Sequence, residues 1–148
     1  MEKSENAVVN FKEGLNCSQC VLSAFSHDLE LNNKLALKIA SGFGGGMCQG
    51  EVCGAVTGAI MVLNVKFGNS EAKDRESKEK TYRMIRLFSE KFISINNSIV
   101  CRNLLGIDLK EEDNRNIARE RGLFKIKCSK FIEDAINILE NILSDHSI

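Results

Sequence analysis

A chain of 148 residues with 43% apolar and 27% charged side chains has the size and make-up of one ordinary globular domain around a single core. Twenty basic side chains balance twenty acidic ones, so net charge gives no reason to expect nucleic acid or an anionic membrane surface as a partner. No apolar run approaches the roughly 20 residues of a membrane span. The opening residues, MEKSENAVVNFKEG, lack the basic-then-apolar layout of a secretory signal, and a cytoplasmic location is expected.

There is no proline, and the apolar pattern is helical throughout. Ala7, Val8 and Phe11 predict a short first helix that stops at Gly14. Asn16 is a good N-cap for a second, from Cys17 to about His27. Asn32 or Asn33 caps a third, LALKIASGF, which runs into a group of glycines. A very apolar fourth helix is expected from about Glu51 to Phe67, closed by Gly68. The fifth covers Lys73 to about Ile95 with Tyr82, Ile85, Phe88 and Phe92 on its inner face. CRNLLG reads as a short helical turn ended by Gly106, and KEEDNRNIARERG as an exposed loop with some helix. The C-terminal helix carries Cys128, Phe131, Ile132, Ala135, Leu139, Ile142 and Leu143 on one face. With no repeat, low-complexity linker or second domain, residues 1–148 are expected to form one all-α domain, a compact bundle of about six helices.

Six cysteines are many for a chain with enough apolar content to fold without staples. In a reducing compartment such thiols are buried fillers, metal ligands or catalytic groups. Four of them, Cys17, Cys53, Cys101 and Cys128, fall at or near predicted helix N-termini. There, free backbone N–H groups and the helix dipole favour the thiolate, the form that binds metal or attacks a disulfide.

The stretch GFGGGMCQGEVCGAVTGA, from Gly42 to Ala59, gathers most of the chain's eleven glycines around Cys48 and Cys53. Gly44, Gly45 and Gly46 allow a sharp turn out of one helix. Gly50 and Gly54 clear space beside Cys53 for backbone or a bulky inorganic group. Gly54 and Gly58, with Ala55 and Ala59, form a small-residue stripe. It suits close helix packing within the chain or across a homodimer, or contact with a cofactor. A phosphate-binding loop is a poor match, because the preceding strand and the closing Lys-Ser/Thr are missing.

Cys17-Ser18-Gln19-Cys20 has the C-x-x-C spacing of dithiol oxidoreductases but no βαβ pattern around it. Cys20 reads as a core residue, a resolving thiol or a spare ligand. His27 and His146 sit at a helix end and in the C-terminal tail, poor places for a ligand.

Taken together, NCSQCVLSAF, ASGFGGGMCQGEVCGAVTGAIMVLNVKFG, Cys101 in CRNLLG and Cys128 resemble a family of redox-active proteins named for the pattern C…GCAxxG…C…C. The middle motif, as CGAxxG, is matched by Cys53 to Gly58. The resemblance covers nearly the whole chain and implies that Cys17, Cys53, Cys101 and Cys128 are the signature cysteines, with Cys20 and Cys48 as additions. It also implies redox or transport roles, since a similar region occurs in split-Soret cytochromes, which carry an iron–sulfur centre beside haem. No C-x-x-C-H haem-attachment motif is present.

The leading expectation is therefore an iron–sulfur protein for electron transfer or redox sensing. Cys17, Cys53, Cys101 and Cys128 are its metal ligands, Gly45, Gly46, Gly50 and Gly54 are its cofactor cradle, and a redox protein is its partner. Metal-free thiol–disulfide chemistry, attacking through Cys17 or Cys53 and resolved by Cys20 or Cys48, is the first alternative. A structural zinc site and a bundle with cysteines as apolar fillers come after it.

Overall fold

The computed structural model of the protein describes residues 2–146. Among them are eight α-helices and no β-strand: α1 Glu2–Lys12, α2 Cys17–Ala24, α3 Asn33–Ala40, α4 Gly54–Phe67, α5 Arg75–Asn96, α6 Cys101–Leu105, α7 Glu112–Glu120 and α8 Ser129–Asp145. Among the described residues, no helix is long and apolar enough to cross a membrane.

The all-α expectation holds, but the helix count is higher than about six, for two reasons. CRNLLG forms a true helix, α6, and the charged stretch before Gly122 holds α7. In α7, Glu112 and Asp113 occupy the first turn and Arg119 the last, complementing the helix dipole. Two predicted ends also move. α2 stops at Ala24, where the Phe25 N–H turns back to Leu22. α4 begins at Gly54 because Glu51–Cys53 are extended, joined to the 99–101 segment through an antiparallel bridge of Val52 with Val100.

The bundle is built on α4, whose residues Ala55, Val56, Ala59, Val62 and Leu63 are wholly buried. It packs against α2, α5 and α8, while α1 lies across α2 and α8. The buried stripe of α5 is Thr81, Met84, Phe88 and Phe92. Tyr82, expected inside, is half exposed beneath the Lys78 ammonium. Phe88 and Phe92 stack at 5.9 Å, and Phe92 meets Phe131 of α8 at 6.2 Å. Those rings, with Leu22, Leu63, Ile132, Ile136 and Leu139, form the apolar centre of the core.

Candidate functional site

Local bonding explains why cysteines from distant parts of the chain point the same way. Cys17 opens α2 behind a full capping box: Asn16 Oδ1 accepts from the Gln19 N–H at 2.9 Å, and Gln19 Oε1 accepts from the Asn16 N–H at 3.0 Å. The same two side chains tie α2 to the end of α3, donating to the carbonyls of Ser41 and Leu37. Cys53 is the N-cap of α4. Its carbonyl accepts from Val56 and Thr57, and its own N–H donates to the Ile99 carbonyl at 2.8 Å. The Cys101 N–H donates to the Glu51 carbonyl, so the bridge at Val52 and Val100 sets Cys53 and Cys101 side by side. Arg102 locks that pairing through the Gly50 carbonyl at 3.0 Å and the Glu51 carboxylate at 2.7 Å.

Cys128 differs from the expected helix start. The helical run begins ahead of it with a π-type turn over Phe124–Cys128, so Cys128 lies inside the first turns of a longer helix. Such a turn holds an extra residue and rotates the remainder of the helix about its axis. Lys125 and Cys128, at either side of that turn, both face one cavity.

The glycine loop is a left-handed turn. Gly45, Gly46, Met47 and Cys48 have φ of 61°, 66°, 60° and 59° in succession. Left-handed backbone costs an L-residue about 1–2 kcal/mol, and here Met47 and Cys48 carry it beside the glycines. A Cβ on Gly46 would strike the Glu51 backbone and come within 2.9 Å of the Cys101 Cβ. A Cβ on Gly50 would strike the Asp108 carboxylate. A Cβ on Gly54 would come within 3.0 Å of the Cys17 Cβ, and one on Gly58 within 2.7 Å of the Ser18 carbonyl, so the small-residue stripe is covered by α2 of the same chain.

These pieces enclose the cavity, about 790 Å³ in volume, whose lining includes Cys17, Cys48, Cys53, Cys101 and Cys128. Of the expected cradle, Gly45 and Gly54 line it, whereas Gly46 and Gly50 pack behind it. Cys20 is fully buried away from the cavity, its thiol directed at the Leu15 carbonyl at 3.8 Å. Cys48 is exposed and faces the Gly42 carbonyl.

All six cysteines are free thiols. Burial pushes Cys53 up to about 11 against the pull of the Ala55 and Val56 N–H groups, and pushes Cys101 up to about 12. Cys17 and Cys128 titrate as a pair. Hydrogen bonding between them raises Cys17 well above its ordinary pKa and lowers Cys128, which the Lys127 ammonium also favours as thiolate. Among the described residues, no three His, Cys, Asp or Glu side chains are gathered closely enough to hold one metal ion.

Sequence reasoning missed the cationic part of the lining: Lys12, Arg115, Arg119 and Lys125. The available signal was the four-residue step between Arg115 and Arg119, which places both on one face once that segment is helical.

A helical domain with five cysteines in the lining of one largely apolar cavity is, by class, an all-α cysteine-rich protein. The chain matches, over residues 15–142, the family model described as "Putative redox-active protein (C_GCAxxG_C_C)", and it belongs to that family. Its own middle motif carries the cysteine first, as Cys53-Gly54-Ala55-Val56-Thr57-Gly58. No curated protein and no solved structure matches it.

Proposed function

We propose that the cavity holds an iron–sulfur cluster through Cys17, Cys53, Cys101 and Cys128, and that the protein transfers electrons or senses redox state. The observation that carries this reading is the meeting of four cysteines from four separate segments of the chain on one cavity. Four thiolates are the usual complement of a two- or four-iron cluster. When bound, a cluster supplies one-electron oxidation and reduction.

The chain's own residues do the rest. In the metal-free state burial keeps Cys53 and Cys101 protonated, so ligation must release their protons and is favoured by rising pH. The Ala55 and Val56 N–H groups stabilise a Cys53 thiolate, and Lys127 does so for Cys128. Leu104, Leu105, Phe124 and Phe131 keep the lining apolar and limit water.

Dithiol chemistry is the second reading, and the hydrogen bonding of Cys17 with Cys128, which favours the Cys128 thiolate, supports it. The Cys128 thiolate would attack a partner disulfide and expel one partner thiolate. Cys17 would then displace the second, its thiol proton passing to a departing partner thiolate, leaving a Cys17–Cys128 disulfide and a reduced partner dithiol, two electrons transferred. This pairing puts Cys17 where Cys20 or Cys48 was expected as the resolving thiol; of those two, Cys20 faces away from the cavity and Cys48 is exposed.

Purification without oxygen, followed by visible absorption and assay of iron and acid-labile sulfide per chain, separates the two. The cluster reading predicts stoichiometric iron and sulfide with charge-transfer bands, both lost in Cys53→Ser. A colourless, iron-free protein would overturn it.

A further inference from the structure

Lys12, Arg115, Arg119 and Lys125 line the cavity, and among the described residues no acidic side chain does. In a chain with equal numbers of basic and acidic groups this is a one-sided selection. None of the four forms an ion pair among the described residues, where ion pairs join Lys3 to Asp28, Arg102 to Glu51 and Lys130 to Asp134. Asp108, whose charge acts on Cys101, lies against Gly50 and accepts from the Lys110 N–H at 2.9 Å.

Nor are the cations used up internally. Arg119 spends one guanidinium nitrogen on Asn116 Oδ1 at 3.1 Å, and Arg115 spends one on the carbonyls of Leu109 and Lys110. A guanidinium has five N–H donors, so both retain donors for a ligand. The cation that acts on a cavity thiol is Lys127, which does not line the cavity. Phe11, Leu109 and Phe124 supply apolar wall beside the charges, and the volume of about 790 Å³ is that of a small-molecule site.

We propose that the cavity binds a small amphipathic anion, with a carboxylate, sulfonate or phosphate head on Arg115, Arg119 and Lys125 and an apolar body against Phe124 and Leu109. The inference goes beyond the cluster reading and holds whether the thiols ligate metal or act as a dithiol. An anion so placed has its apolar end in the thiol-lined space, where a redox substrate or effector belongs.

The test is calorimetric titration of the anaerobically purified protein with naphthalene-acetate and with naphthalene-ethanol, its neutral counterpart. The site predicts roughly tenfold tighter binding of the carboxylate at low salt, falling toward the alcohol's affinity as salt is raised. In the double variant Arg119→Gln, Lys125→Gln the preference disappears while alcohol binding is unchanged. Both side chains are exposed, so the fold should survive, and a melting curve verifies it. Equal affinity for the two compounds, no binding of either, or a preference that survives the double substitution would overturn the proposal. Iron assayed on the same sample reports the cluster separately.

Discussion

The thiols of this protein differ chemically because their immediate neighbours differ. Cys128 has a hydrogen-bonding thiol and an ammonium nearby and ionises early, whereas Cys20, Cys53 and Cys101 are held neutral by burial, at about 12, 11 and 12 against an ordinary 9.0. In the reduced, metal-free protein the folded chain therefore keeps protons that the unfolded chain loses above about pH 9. Their contribution to stability is complete below that pH and is lost as pH rises toward the folded values. Urea denaturation at about pH 8, 9.5 and 10.5 should show stability falling across the series. Cys20→Ala should flatten the fall while costing about 1–2 kcal/mol at pH 8 through lost packing. Stability that rises with pH, or a slope indifferent to Cys20→Ala, would count against these assignments. The candidate residues themselves were legible, since Cys17, Cys53 and Cys101 do stand at helix entries. What Cys48 does was not, because only the folded loop shows it exposed in a left-handed turn.

Among the elements, the contact of α2 with α4 sets the site, because Cys17 and Cys53 stand at the entrances of those two helices. Gly54 and Gly58 let them approach until helix backbone meets helix backbone. Gly→Ala within a helix ordinarily gains roughly 0.5–1 kcal/mol. At Gly58 the new methyl would meet the Ser18 carbonyl at 2.7 Å and the Val21 Cβ at 3.0 Å. Gly58→Ala should instead destabilise by about 1–3 kcal/mol through overpacking, read as a lower denaturation midpoint; a neutral or stabilised variant would mean the helices slide apart freely. The stripe and the capping asparagines were visible in local sequence. α7 was only half legible, as some helix within an exposed loop, because nine residues with only Ile117 and Ala118 apolar carry their helical period in polar and charged side chains. Its stability comes from end charges and from Ala118 packing inward. The extended Glu51–Cys53 segment escaped notice for a related reason: a single bridge across to Val100 leaves no alternating pattern.

For the molecule as a whole, the bundle brings together groups that no local pattern could pair. That Cys17 and Cys128 lie together, and that charges on α1, on α7 and before α8 ring one cavity, results from how α1, α2, α4 and α8 pack. The order of cysteines along the chain showed which thiols to watch, while their grouping is a tertiary fact. Iron and sulfide should therefore be measured on each of the six single Cys→Ser variants, purified without oxygen beside the unmodified protein. Loss of both in the variants at Cys17, Cys53, Cys101 and Cys128, with full retention at Cys20 and Cys48, is the predicted result. A full cluster surviving in any of the first four, or one lost on changing Cys20 or Cys48 in a folded variant, would contradict the ligand set.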